Sequence, residues 1–492
     1  MALWLLVVGA SACSSPTGGG DATTNAATAS VPVASPPAPV TWSPCPGSAT
    51  IQCGAVTVPV DYQHPDGATL DITVTRAPAL DPAHRIGTLV FNPGGPGESG
   101  NQILPVLLDR FPTDVRNQFD LVSFDPRGTG ASDPLECGTS PSAVTSVVPV
   151  PSRAGQPLPG TTVFTTMAKA CQQRAASWEP LIDTVDTARD MDRIRQALGL
   201  STISYYGLSY GTELGTVYAD LFPHRIARMV LDGAVDVNAS LAQQATEQAP
   251  ATEQSLRHLL VTCQAEPSCP LGAQPITFYQ KVAADLRRQA LPAPGNGDDH
   301  PVTVGDLDTA TLFALSVPET TTTYLQALVA AKGGNGAPLR QLALEFVDDV
   351  DGTPVVDPQW AIVCNDAAVH PSPEAAGAQA RALAARYPLI GGYAVTYNLG
   401  GCVSWPAARQ PVTDVRPPGT HPVLVIGNTG DPNTPLVGAI HLATAFRSAT
   451  ELTWDGWGHT WLLSGSNDQC MQGYVTRYLG GGTLPPDGTS CR

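Results

Sequence analysis

The stretch Ile203-Ser-Tyr-Tyr-Gly-Leu-Ser-Tyr-Gly-Thr-Glu-Leu-Gly215 decides the reading of this chain. A β-rich run ends at Gly207-Leu208-Ser209-Tyr210-Gly211, after which Leu214, Val217, Tyr218 and Leu221 recur at helical spacing. A serine held on so sharp a strand-to-helix turn needs near-absent side chains on both sides, and Gly207 and Gly211 supply them. The first helical turn aims unpaired N–H groups and its dipole at the same spot, so charge forming on a substrate oxygen meets donors there. Small glycine-rich junctions also occur in proteins without this chemistry, so the flanking motifs carry the decision.

Upstream, Thr88 to Asn92 reads as a short buried strand running into Pro93-Gly-Gly-Pro-Gly97, and Leu121 to Asp125 as another opening into Asp125-Pro-Arg-Gly-Thr-Gly130. A helix from Thr184 to Leu198, stopped by Gly199, leads into the serine strand, and Met229 to Leu231 follows as the next strand. This alternation predicts an α/β fold with a mostly parallel sheet covered by helices on both faces. Ile51 to Pro59 and Leu70 to Ala77 alternate around Pro65-Asp66-Gly67, which predicts an antiparallel pair at the sheet edge. From about 240 to 356 the pattern turns to Ala- and Leu-rich helical segments (Thr252 to Cys263, Phe278 to Gln289, Tyr324 to Ala331), predicting an inserted helical lid. Buried strands resume at Pro422 to Ile426 and Thr450 to Trp454, and Tyr474 to Leu479 reads as a closing helix. The core is thus expected in two parts, 45–239 and 357–492.

A serine hydroxyl becomes a useful nucleophile only when an imidazole takes its proton, and the imidazole needs a carboxylate to fix its tautomer and stabilise its charged form. The strand 422–426 opens into Gly427-Asn-Thr-Gly-Asp431-Pro-Asn-Thr-Pro435, and the strand 450–454 into Asp455-Gly-Trp-Gly-His459. Both loops leave the carboxyl ends of their strands, where ligands bind in such sheets. The order Ser209, Asp431, His459 is that of α/β-hydrolases. The backbone N–H groups of Tyr210 and Gly95 are the expected oxyanion donors. Asp125 and Arg127 read as internal braces of their loop. Two further carboxylates are candidates to bind a substrate cation: Asp366, set rigidly beside Cys364, first, and Glu98, beside the oxyanion loop, second. The competing role for Asp366 is a helix cap over 367–369.

Composition narrows the function classes. A net charge of −17 argues against nucleic acid, and lysine occurs only at Lys169, Lys281 and Lys332. Neither glycine-rich loop ends in Gly-Lys-Ser/Thr, which excludes a phosphate cradle, and the absence of close Cys/His clusters argues against a metal; no cofactor is expected. Ala2 to Ala10 is apolar but too short to span a bilayer, so residues 1–12 read as a signal peptide. Ala10-Ser-Ala-Cys13 is similar to a lipoprotein box that would anchor the chain through Cys13, although an n-region Lys or Arg is missing. Residues 13–44 are Ser-, Thr-, Ala- and Pro-rich, as in a disordered tether. Of eleven cysteines, ten remain beyond Cys13, an even set that fits an oxidising, extracytoplasmic compartment. Short loops close at least entropic cost, which favours neighbours: Cys45 with Cys53, Cys137 with Cys171, Cys263 with Cys269, Cys364 with Cys402, and Cys470 with Cys491.

Over roughly residues 45–492 the sequence resembles the α/β-hydrolase serine peptidases related to prolyl aminopeptidase, in the secreted tripeptidyl aminopeptidase-like branch of actinobacteria. The resemblance rests on Val56-Thr-Val-Pro-Val-Asp61, Asn92-Pro-Gly-Gly-Pro-Gly97, Asp125-Pro-Arg-Gly-Thr-Gly130, Gly207-Leu-Ser-Tyr-Gly211, Val230-Leu-Asp-Gly233, Ala361-Ile-Val-Cys-Asn-Asp366, Cys402-Val-Ser-Trp-Pro406, Asp431-Pro-Asn-Thr-Pro435 and Gly458-His-Thr460. It implies an α/β-hydrolase core, a helical lid, a Ser209–Asp431–His459 triad and release of short peptides, tripeptides in particular, from free N-termini. Glu98 departs from the family pattern, which more often has a small residue there. The alternative is a carboxylesterase or lipase acting on extracellular esters, since the same triad attacks both bonds. A lipid-anchored binding protein with a relic site is disfavoured, because no triad or oxyanion position is degenerate.

Overall fold

The computed structural model describes residues 35–293, 300–419 and 421–492. The expected signal peptide, Cys13 and the first part of the tether lie outside the described residues. Ten strands form one sheet: β1 (Ser43–Pro44), β2 (Gln52–Pro59), β3 (Thr69–Ala77), β4 (Gly87–Asn92), β5 (Phe119–Phe124), β6 (Ile203–Leu208), β7 (Ile226–Asp232), β8 (Val423–Gly430), β9 (Ala449–Trp457) and β10 (Thr489–Cys491). Their spatial order is β1-β2-β3-β5-β4-β6-β7-β8-β9-β10. The pairs β1/β2, β2/β3 and β3/β5 are antiparallel, and every pair from β5/β4 onward is parallel.

Burial follows from this topology. Strands β5 and β6 are buried along their whole length because helices cover both faces, whereas β2 and β3 alternate as edge strands do. Along β6, Tyr205 packs into one core with Met191, Leu214 and Val217; Tyr206 and Leu208 pack into the other with Phe91, Leu424 and Val475. The first core is covered by helices Thr184–Ala197 and Tyr210–Leu221, the second by Gln469–Leu479. This is the α/β-hydrolase fold expected from the sequence.

Between β7 and β8 the chain leaves the sheet for a set of helices. Leu241–Ala265, Pro275–Arg288, Val304–Ser316, Thr321–Lys332 and Ala337–Glu345 bury a separate core around Leu256, Leu260, Tyr279, Leu307, Leu328 and Leu339. The first of these begins well before Thr252. Pro250 argues for a helix start on sequence grounds, but Ser240 caps the helix and it passes through the proline. Helix Val356–Asp366 packs instead against the sheet core, while Pro373–Arg386 and Tyr393–Leu399 return to the cap, burying Ala380 and Val395 against Ala245 and Ala249. A fully buried Arg340–Asp306 ion pair, with Thr145 Oγ1 donating to Asp306 at 2.8 Å, ties the cap to the core.

Residues 35–44, expected at the end of the tether, lie against the core. Val40 N donates to Ala197 O at 3.2 Å, and the Arg76 guanidinium sits 4.4 Å from the Trp42 ring, so a short apolar run in a polar segment is enough to dock it. All five expected disulfides are present.

Candidate active site

Ser209 joins β6 to helix Tyr210–Leu221 with φ +53° and ψ −123°, a conformation that non-glycine residues rarely adopt. The turn survives because its neighbours approach closely: a Cβ on Gly207 would strike the Gly211 carbonyl, and one on Gly211 would lie 2.7 Å from Asn92 O. Ser209 N donates to Asp232 O at 2.9 Å, and the Asp232 carboxylate accepts from Trp461 N, Leu462 N and the Tyr206 hydroxyl. Asp232 therefore binds the serine turn to the segment after His459. Gly94, at φ +103°, brings the preceding loop against the same turn; a Cβ there would meet Leu208 O at 2.6 Å. Asp125 accepts from Ser99 Oγ, Asn101 N and Ala131 N, bracing that loop from within, while Arg127 pairs with Asp190 at 2.6 Å in the interior.

Asp431 and His459, far apart in sequence, meet at the ends of β8 and β9. His459 Nδ1 lies 2.9 and 3.0 Å from the two Asp431 oxygens. A carboxylate partner fixes the proton on Nδ1 and leaves Nε2 as the basic nitrogen. Asp431 also accepts from Asn433 N, Thr434 N, Thr434 Oγ1 and Thr460 N at 2.9 to 3.1 Å, so the pair is rigid and its charge is spread over donors. Burial tends to lower the His459 pKa, but the opposing Asp431, Asp232 and Glu98 charges raise it above 6.5. Cap helix Val304–Ser316 ends on this loop, where His459 N donates to Ser316 O at 3.1 Å and Asn433 Nδ2 to Ser316 Oγ at 2.9 Å.

Two cavities meet at Ser209. Gly95, Pro96, Ser209, Gln359, Tyr397 and Asn433 line both. The first, about 460 Å³, is bordered by Tyr210 and by the carboxylates Glu213, Asp366, Asp236, Glu247 and Asp414. The second, about 650 Å³, contains His459, is walled by Phe164, Phe313, Phe346 and Trp360, and is also bordered by the carboxylates Glu98, Glu345, Asp348 and Asp349. The two ammonium candidates are thus on opposite sides of the serine. Asp366 is buried at the end of its helix and accepts from Thr184 N at 2.9 Å and Thr184 Oγ1 at 2.7 Å, capping helix Thr184–Ala197 rather than the segment 367–369. Burial, reinforced by Glu213 and Asp183, pushes its pKa well above the usual carboxylate range. Glu98 is raised to about 7 by burial and by Asp349.

Sequence reasoning missed Glu213, Asn433 and Tyr397. Glu213 alone carried a signal, because it falls in the first turn of the helix that follows the serine. The other two are placed by the loop after Asp431 and by the cap.

The profile of the family described as TAP-like protein matches residues 387–491. Over 92% of its length this chain is 33% identical to the serine protease Hip1 of Mycobacterium tuberculosis, covering 91% of that protein. The chain belongs to the tripeptidyl aminopeptidase-like serine peptidases of the α/β-hydrolase superfamily. Within that family it is also 31% identical to carboxylesterase B of Mycobacterium tuberculosis, over 90% of this chain and 86% of the relative. With the tripeptidyl aminopeptidase of Streptomyces lividans it shares 29% identity, over 87% and 81%. Among the described residues no helix is long and apolar enough to cross a membrane.

Proposed function

We propose that this protein is an exported serine exopeptidase that releases short peptides, tripeptides foremost, from free N-termini through an acyl-enzyme. Ser209 Oγ attacks the scissile carbonyl while His459 Nε2 takes its proton; the N–H groups of Gly95 and Tyr210 hold the oxyanion, and Asp431 stabilises the imidazolium. The C–N bond then breaks, His459 returns the proton to the leaving amine, and water, deprotonated by His459, releases the acyl group.

The observation that carries the peptidase reading is the place of the imidazole: His459 lines one chamber of the cleft and not the other. The leaving amine departs on the side of the imidazole that protonates it, which is the aromatic chamber. The acyl portion, with its free ammonium, then lies in the chamber bordered by Asp366 and the other carboxylates. A buried ammonium without such partners would cost several kcal/mol, of order ~3 to 5. On this reading Asp366 serves substrate binding, and Glu98 acts on His459 instead. The export signal, the ten paired cysteines and Cys13 support an extracytoplasmic, lipid-anchored protein.

The second reading, an esterase, is favoured by the aromatic wall of Phe164, Phe313, Phe346 and Trp360 and by the relative named carboxylesterase B. Matched tripeptide chromogenic substrates with free and with acylated N-termini, assayed beside a butyrate ester, separate the two. The exopeptidase reading expects the free tripeptide to be fastest; equal rates for free and acylated peptides with faster ester turnover would establish the esterase.

A further inference from the structure

Helix Tyr210–Leu221 carries a carboxylate that the reaction does not use. Glu213 lies in the first turn of the helix that Ser209 caps. Helical side chains lean toward the helix N-terminus, so the Glu213 carboxylate leans toward the Ser209 end of the helix. It borders the acyl-side chamber with Ser209, Tyr210 and Asp366. Among the described residues it has no hydrogen-bond or ion-pair partner. Asp366, which borders the same chamber, accepts from Thr184 N and from Thr184 Oγ1, whose oxygen also meets the Tyr210 hydroxyl at 2.5 Å. Burial holds the Glu213 carboxyl up at about 7, and its charge in turn raises the neighbouring Asp366.

Reach decides which cation. The N-terminus of an extended tripeptidyl group lies ~10 Å from its scissile carbonyl, at about 3.3 Å per residue. That distance carries it beyond Glu213, to the other carboxylates of the chamber, Asp366 among them. We propose that Glu213 is a specificity-determining residue that selects a cation on the residue supplying the scissile carbonyl, either a lysine or arginine side chain or that residue's own α-ammonium. This rests on Ser209 being the nucleophile and on the acyl group occupying the acidic chamber.

The test uses the full-length protein and ratios measured within one preparation, so that partial unfolding of a variant cancels. Ala-Ala-Lys against Ala-Ala-norleucine p-nitroanilide reads the side-chain source, and free against acetylated norleucine p-nitroanilide reads the α-ammonium source. The wild type is expected to prefer the cation in one pair by at least about 10-fold in kcat/KM. Glu213→Gln should bring that ratio close to one, with Glu213→Asp between. No preference in either pair, or a preference that survives Glu213→Gln, overturns the proposal. Turnover without fluorophosphonate labelling of Ser209 would instead remove the nucleophile on which it rests.

Discussion

The two chambers that meet at Ser209 share six residues and differ in almost everything else. One is bordered by five carboxylates and lacks the imidazole; the other holds His459 within an aromatic wall and is bordered by four carboxylates. The contrast teaches that the two sides of Ser209 differ by the imidazole and the aromatic wall and not by acidity alone. The core supplies Ser209, Asp431, His459 and Glu213, all at the sheet's carboxyl edge or in the first helical turn after it. Much of the aromatic wall comes from the cap, through Phe313 and Phe346, and Tyr397 from the cap touches both sides.

Removing the common point should have the largest effect. Ser209→Ala is expected to lower kcat/KM on the order of 10⁴-fold or more for peptide and ester substrates alike, with the thermal midpoint little changed. Retention of near-full activity would break the assignment on both sides at once. The next effect is confined to the acidic chamber. Asp366→Asn should lower the preference for free over acetylated tripeptides by about 10-fold, through KM more than kcat, since one uniform binding contact is lost. An unchanged preference would move the ammonium role to another carboxylate.

The smallest effects belong to the other chamber and appear in the pH profile. His459 must be neutral to accept the serine proton, and its pKa is raised above 6.5, so kcat/KM should climb with pH through an acid limb centred above that value. Ionised Glu98 is one of the charges that favours the imidazolium. Glu98→Gln should therefore move the limb to lower pH while leaving the free-versus-acetylated ratio alone. A limb that stays in place, or a changed ratio, would mean that Glu98 faces the substrate and not the base.

The core half of the cleft was legible in the sequence because its chemistry is written in short-range patterns. Ser209 and Asp431 each follow a buried strand directly, His459 follows one that alternates between buried and half-exposed residues where a buried run was expected, and a parallel sheet gathers strand ends at one edge without further information. The disulfides were legible because each closes a local loop. The cap half was not, since helical periodicity marks the face that packs but says nothing about which residues beside that face line a cavity. Tyr397 and Ser316 reach the site that way. Asp366 shows the intermediate case: its position beside Cys364 located it near the site, but the group it caps is the N-terminus of helix Thr184–Ala197, a contact across 182 residues that no local pattern records.

The central claim is that Ser209 carries the acyl group between the two chambers. Labelling the full-length protein with a fluorophosphonate and mapping the adduct by peptide mass spectrometry tests it most directly. The account predicts one stoichiometric adduct, on Ser209, formed more slowly as pH falls through the acid limb and competed by a free tripeptide substrate. An adduct on another residue, or full turnover by enzyme whose Ser209 is already modified, would contradict it.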